Sequence, residues 1–236
     1  MERNPVAADD GIELHVGVTG AGPDVVLLSG GPGCVQYLED EAIAPRGVRA
    51  WFPEPRGVGR SGGGAHSMEE AVADLEAIRR SAEITSWVVL GHSWGSDLAV
   101  YYALQRPQAV RGVIGIAGTG VQKDRTWSAT YHAGKDSEPS VPVAWEPPVH
   151  KALSDSYLEW IHQRQLLRQL ADSSVPMAFI AAALDIRPSW PLEQLAELVP
   201  RGSFTRVPDV PHDFWATDPD VWARTVTDSC RRLLKP

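Results

Sequence analysis

Cysteine is scarce in this chain. Cys34 and Cys230 are the only two in 236 residues. At most one disulfide could form, so a disulfide-built scaffold is excluded, and reduced thiols in a reducing compartment are the expectation. Basic charge is also short: 22 Lys and Arg face 30 Asp and Glu, for a formal net charge of -8. Binding a phosphate backbone needs a basic face, so nucleic acid is not an expected partner. No apolar run approaches the roughly 18 residues of a membrane span, so no membrane partner is expected. The opening residues Met1-Glu2-Arg3-Asn4-Pro5 lack the apolar core of a secretory leader, which makes a cytoplasmic location the expectation. No internal repeat or low-complexity tract interrupts the chain. No His or Cys cluster falls at metal-ligand spacing, so no metal is expected. The Gly-x-Gly at Gly57 and Gly59 lacks the third glycine and following acid of a dinucleotide fingerprint, so no cofactor is expected either. The pattern specifies no oligomeric state.

What is present is an ordinary globular composition, with 43% hydrophobic and 22% charged residues, which rules out disorder over most of the length. The length suits one α/β domain over residues 1–236. Short apolar runs alternate with helical patterns, as in a mostly parallel central sheet flanked by helices. The strand candidates are Ile12–Val18, Val25–Leu28, Val48–Phe52, Trp87–Leu90, Val113–Ile116, Met177–Ala182 and Phe204–Val207. Met177–Ala182 is wholly apolar, as a strand covered on both faces should be. Ser67 with Glu70 forms a capping-box pattern before the stripe Val72, Leu75, Ile78. A second helix runs over Asp97–Gln105. Ser156 with Glu159 is read as another capping box, opening a helix to about Leu170. Asp218-Pro219 reads as N-cap and first residue of a C-terminal helix with Trp222, Val226 and Leu233 inward.

The stretch from about 119 to 154 shows no sustained period of either kind. It holds Pro139, Pro142, Pro147 and Pro148, with Trp127, Tyr131 and Trp145. An insertion of that length inside one domain reads as a short lid, and its aromatics suit a lid that packs on something.

The chemistry starts at Gly91-His92-Ser93-Trp94-Gly95. It matches G-x-S-x-G directly after an apolar run and directly before a helical pattern, the context of a nucleophile elbow. Ser93 is therefore the candidate nucleophile. A serine hydroxyl is a poor nucleophile without a base, and the base needs an orienting acid. Of the downstream histidines, His132 and His150 fall in the irregular stretch and His162 within a helix. His212 follows the last strand candidate in a loop before the final helix, where the base belongs. Asp185 closes the apolar run Met177–Leu184, and a carboxylate there calls for a partner. Asp209 and Asp213 are alternatives, but both lie too near His212 in sequence to orient it easily. Two backbone N–H groups would form the oxyanion hole. Trp94, after the nucleophile, offers one. Gly31, in the loop Ser29-Gly30-Gly31-Pro32-Gly33, offers the other, since Pro32 has no N–H. Trp94 and Trp145 are candidate substrate contacts. Arg56, in Glu54-Pro55-Arg56-Gly57-Val58-Gly59-Arg60-Ser61, is read as pairing a carboxylate in a tight turn. Cys34 is read as a small packed residue.

Together, Gly30-Gly31-Pro32-Gly33, Arg56-Gly57-Val58-Gly59-Arg60-Ser61 and Gly91-His92-Ser93-Trp94-Gly95-Ser96 resemble the proline iminopeptidase branch of the α/β hydrolases. Family members read HGGPG, DQRGxGRS and GGSWGS at these places. The resemblance implies the α/β-hydrolase fold, with Asp185 and His212 at the family's acid and base positions. The chain departs from the pattern at Ser29, Glu54-Pro55 and His92, which stand for His, Asp-Gln and Gly. It also has a short proline-rich insertion where family members carry a large helical cap whose acidic residues hold the substrate's amine. Glu138, Glu146 and Glu159 are candidates for that role.

The resulting expectation is a serine hydrolase that cleaves a small ester or amide substrate through an acyl-enzyme. A proline iminopeptidase-type aminopeptidase is the alternative. A ligand-binding protein on a hydrolase scaffold is the third reading, which loss of any triad member would have favoured. Epoxide hydrolase and haloalkane dehalogenase readings are disfavoured, because those families place an aspartate where Ser93 stands.

Overall fold

The apolar runs become the strands of one eight-stranded sheet in a computed structural model that describes residues 1–139 and 141–235. Ser140, in the proline-rich stretch, lies outside the described residues. In chain order the elements are β1 Glu2–Arg3, β2 Val6–Ala7, β3 Glu13–Leu14, β4 Val16–Gly20, β5 Asp24–Leu28, β6 Arg49–Pro53, α1 Met68–Ser81, β7 Trp87–His92, α2 Trp94–Gln105 and β8 Val110–Ile116. There follow α3 Arg125–Gly134, a 3-10 turn at Lys135–Ser137, α4 Pro147–Ile161, α5 Leu166–Ala171, β9 Met177–Ala182, α6 Trp190–Leu198, β10 Gly202–Val207, α7 Phe214–Thr217 and α8 Pro219–Leu234. The sheet order is β1-β4-β6-β5-β7-β8-β9-β10. The strands from β6 to β10 pair in parallel, and β1 and β4 add an antiparallel edge. β2 and β3 form a separate small hairpin.

Strand alternation splits the core into two layers. On β5, Val26 and Leu28 pack with Val72 and Leu75 of α1 and Leu98 of α2. Val25 and Leu27 face the other way, toward Trp222 and Val226 of α8. Both faces of the parallel strands are thus covered, which is why their sequences read as unbroken apolar runs.

The structure differs from several expectations for local reasons. The run Ile12–Val18 breaks at His15, whose N–H donates to Ser61 Oγ at 3.0 Å rather than to a strand. The stretch 119–154 is not devoid of helix. Asp124 Oδ1 accepts the Trp127 N–H at 2.7 Å and opens α3, which buries only Trp127; one apolar anchor leaves no period to read. Pro147 and Pro148 occupy the first turn of α4, where a missing N–H costs nothing. Ser156 and Glu159 therefore lie inside α4 and do not cap it. Ser156 Oγ instead accepts the Met68 N–H at 3.0 Å. It closes the start of α1, where Ser67 also caps Glu70 N–H at 3.1 Å. α6, begun by Trp190 and Pro191, has no counterpart among the predicted helices.

Asp97, in the first turn of α2, is buried and accepts N–H groups from Gly120 at 2.8 Å and Thr119 at 3.2 Å. It pins the chain where it leaves β8. Burial raises its carboxyl from 3.8 to about 7, against the lowering effect of those N–H groups. The native chain therefore holds this proton more tightly than the unfolded chain does. Its contribution to stability is fully present below the unfolded value and declines as pH rises from 3.8 to about 7. Asp97→Asn removes that titration. Urea unfolding of both proteins across this range should show the mutant gaining relative to wild type as pH rises; a constant difference would contradict the burial argument.

Candidate active site

Ser93 sits in the sharp turn between β7 and α2 with φ 54° and ψ −126°. A residue carrying a Cβ adopts this region only when its surroundings impose it. The turn is packed by glycines at close range. A Cβ on Gly91 would lie 2.0 Å from Gly95 O, and one on Gly95 would lie 2.3 Å from Leu28 O. Gly30 brings the loop after β5 against the turn, since a Cβ there would lie 2.5 Å from Ser93 Cβ. The Ser93 N–H donates to Ile116 O at 2.8 Å, which ties the turn to β8.

The predicted base and acid meet. His212 lies in the loop between β10 and α7, and its Nδ1 is 2.6 Å from Asp185 Oδ2, just beyond β9. Asp209 and Asp213 do not take this place; Asp213 Oδ1 accepts the Trp215 indole N–H at 3.2 Å. The other Asp185 oxygen accepts the Arg187 N–H at 2.8 Å and Arg187 Nη1 at 3.1 Å. Burial alone would raise the Asp185 carboxyl, but His212 and Arg187 outweigh it and the group is lowered from its ordinary value. It is thus held as a carboxylate facing the imidazole. His212 is 4% exposed. Among the described residues no side-chain hydrogen bond joins Ser93 Oγ to His212. Ser93, Asp185 and His212 all follow the carboxyl ends of parallel strands, β7, β9 and β10, where open α/β sheets bind ligands. The other downstream histidines are elsewhere: His150 Nδ1 meets Pro32 O at 2.8 Å, His162 Nδ1 meets Leu158 O at 2.6 Å, and His132 is exposed on α3.

The two expected oxyanion donors are free to act. Trp94 opens α2, where first-turn N–H groups have no helical partner. Gly31 is at φ +51°. Among the described residues neither N–H is hydrogen-bonded. The neighbouring Gly30 N–H is not free, because it donates to Tyr37 Oη at 2.6 Å. The Trp94 ring is buried and lines a cavity of about 50 Å³ with Leu28, Ser29, Leu98 and Leu153. Cys34 is a free thiol that burial pushes up to about 11, so it stays protonated. Arg56 is structural, holding Asp74 with Nε at 2.8 Å.

Beside the Asp97 and His150 bonds above, two further sets of contacts fasten the insertion. Val35 N–H donates to Ala144 O at 3.0 Å and Glu146 N–H to Gly33 O at 2.8 Å. These bonds set Trp145 beside Cys34, with the residue 50% exposed. In the second set Glu138 forms an ion pair with Arg187, the same arginine that contacts Asp185. The Arg187 guanidinium also lies 5.0 Å from the Tyr131 ring. Glu146 and Glu159 are exposed. Arg187 and Tyr37 were not singled out by the sequence, and His92 stood out only as a departure from the family pattern. Arg187 lies two residues past Asp185, which is the one signal that could have found it.

Two trios of side chains, His92 with His212 and Asp213, and Glu138 with Asp185 and His212, place ligand-type atoms within 4.8 Å of one another. Their members are already engaged. His92 bonds Tyr37, His212 bonds Asp185, and Glu138 pairs with Arg187.

A family model described as the alpha/beta hydrolase fold matches residues 23–196. An epoxide hydrolase of Caballeronia sordidicola is 36% identical over 116 residues, 47% of this chain and 35% of that protein. A proline iminopeptidase of Xylella fastidiosa is 30% identical over 165 residues, 64% of this chain and 51% of that protein. The chain thus spans about half or less of the length of these curated relatives. An esterase from Thermogutta terrifontis superposes with a TM-score of 0.74 at 19% identity over 100% of both chains. A proline iminopeptidase of Mycobacterium smegmatis gives 0.73 at 16% identity over 98% of each. At those identities the structural likeness is one of fold.

The Ser93 conformation has a measurable cost. Glycine would relieve roughly 1–3 kcal/mol of backbone strain, less about 0.4–1 kcal/mol for the freer unfolded chain. Ser93→Gly should therefore be more stable than Ser93→Ala, which keeps the strain. Thermal unfolding of the two mutants checks this; equal stability would mean that any strain is no larger than the roughly 0.4–1 kcal/mol entropic cost of glycine.

Proposed function

Because the chain belongs to the alpha/beta hydrolase fold family, we propose that it is a serine hydrolase that cleaves a small ester or amide through an acyl-enzyme. The observation that carries the reading is the strained Ser93 turn at the same sheet end as the 2.6 Å His212–Asp185 pair. His212 Nδ1 carries a proton toward the Asp185 carboxylate, which leaves Nε2 as the basic nitrogen. Nε2 accepts the Ser93 proton as Oγ attacks the acyl carbon. The Trp94 and Gly31 N–H groups hold the oxyanion of the tetrahedral species. His212 then protonates the leaving group. In the second half it takes a proton from the water that attacks the acyl-enzyme, and it returns that proton to Oγ as the tetrahedral species collapses, so the acid leaves and Ser93 is free.

The ester or simple amide reading is preferred over an aminopeptidase for one reason. Capturing a substrate ammonium needs an unpaired carboxylate near the acyl site. Glu138 lies within 4.8 Å of ligand-type atoms of Asp185 and His212, and it is spent on Arg187. Glu146 and Glu159 are exposed. The epoxide hydrolase relative does not alter this reading, because Ser93 occupies the elbow.

The test is turnover of p-nitrophenyl acyl esters of increasing chain length beside prolyl and alanyl p-nitroanilides. Ester release should dominate, and Ser93→Ala should lower kcat by about 10⁶. Dominant prolyl anilide release would favour the iminopeptidase alternative. Activity surviving Ser93→Ala would overturn the nucleophile assignment, and silence on both panels would favour the binding-protein reading. Asp185→Asn should cost about 10⁴ in kcat, by leaving the imidazole in the wrong tautomer.

Trp145 gives a separate readout of substrate contact. The residue is half exposed and borders the loop that carries Gly31. Trp145→Ala should raise KM for the longer acyl esters with little change in kcat, the mark of lost uniform binding. An unchanged KM across the ester series would remove Trp145 from the binding surface.

A further inference from the structure

We propose that His92 and Tyr37 are positioning residues that hold the oxyanion loop and the base loop to the nucleophile turn through one directional chain of hydrogen bonds. The inference rests on the Ser93, His212 and Asp185 assignment above and adds what keeps those groups in register.

The chain can be followed atom by atom. The Gly30 N–H, which can only donate, lies 2.6 Å from Tyr37 Oη. Tyr37 Oη lies 2.6 Å from His92 Nδ1. His92 Nε2 lies 3.0 Å from the carbonyl oxygen of His212, which can only accept. The two ends fix everything between them. Nε2 must carry a proton to meet the carbonyl. In a neutral ring Nδ1 is then an acceptor, so the Tyr37 hydroxyl donates to it. That hydroxyl uses a lone pair for the Gly30 N–H. Every donor has one acceptor, and one assignment satisfies all three bonds.

The surroundings favour the neutral ring this requires. His92 is fully buried. Burial first, and then the neighbouring His212, keeps its pKa well below the ordinary 6.5. The ring is clamped on several sides. It lies 4.8 Å from the His212 ring and 5.5 Å, edge to face, from Trp222. Tyr37 is held in turn by stacking on Trp215 at 4.5 Å.

The positions give the chain its purpose. Gly30 precedes Gly31, the proposed oxyanion donor. His92 precedes Ser93. The accepting carbonyl belongs to His212 itself. Three loops that are far apart in sequence and carry different parts of the reaction are joined through groups that touch no substrate. Reactions of this kind lose rate steeply when reacting groups are misplaced by even about 1 Å.

Tyr37→Phe tests this, because it keeps the stacked ring and removes both hydroxyl bonds. For the preferred ester, kcat should fall by about tenfold or more with KM within about twofold, while the unfolding temperature stays close to wild type. A long-range proton–nitrogen correlation spectrum of the labelled wild-type chain, assigned against His92→Asn, gives an independent readout. His92 should show a protonated Nε2 and a bare Nδ1 at neutral pH, with its ring N–H slow to exchange. In Tyr37→Phe the Nδ1 resonance should shift toward that of a nitrogen without a hydrogen-bond donor. A proton on Nδ1, or a doubly protonated ring, in the wild type would overturn the chain. So would wild-type kcat in Tyr37→Phe, or a loss of kcat matched by a fall in the folded fraction. The spectrum needs no turnover. A failure of the nucleophile assignment would appear only in Ser93→Ala, so the two failures are distinguishable.

Discussion

Ser93 holds φ 54° and ψ −126°, a conformation that costs a residue with a Cβ roughly 1–3 kcal/mol. The surrounding backbone leaves it no relaxed alternative. β7 enters the turn as a strand buried along its length, and α2 leaves it nearly all buried. Gly91 and Gly95 let the two elements approach so closely that neither could carry a side chain. The strain is therefore offset by the packing of a central strand and a central helix. Among the described residues the Trp94 N–H, next in the chain, has no hydrogen-bond partner. The loops bearing Gly31, Asp185 and His212 must then converge on this point.

That convergence is largely polar, and it is carried by a few buried groups. Asp185 meets His212 on one side and Arg187 on the other. Arg187 passes the contact on to Glu138 in the insertion. A buried carboxylate with two cationic or polar partners stays ionised where burial alone would protonate it. The insertion is thus fastened to the acid of the proposed triad at one end and to the loop after Gly31 at the other. Its position and the arrangement of the reacting groups depend on the same side chains.

How legible all this was depends on the range of the interactions involved. The buried strands could be read because a strand covered on both faces is a continuous apolar run; Met177–Ala182 stands in the structure with the limits predicted for it. Ser93 could be read because its turn tolerates few residues. The pairing of His212 with Asp185 follows from chain order, and the rest of the fold supplied the distance. Helix α3 could not be read, since Trp127 is its only buried residue. α4 was obscured by two prolines that mark a loop equally well. Tyr37 and Arg187 left little trace, because their bonds to His92 and Glu138 join positions 55 and 49 apart, and the His92 bond to the His212 carbonyl spans 120. Contacts of that range are set by topology, which local pattern does not carry.

The central claim is that Ser93 Oγ is the nucleophile poised by this arrangement. Treating the folded chain with a fluorophosphonate and mapping the adduct by mass spectrometry tests it without knowing the substrate. The account predicts a single stoichiometric adduct on the peptide containing Ser93, absent from Ser93→Ala and strongly slowed in Asp185→Asn. No adduct on that peptide, or equal labelling in the Ser93→Ala protein, would contradict it.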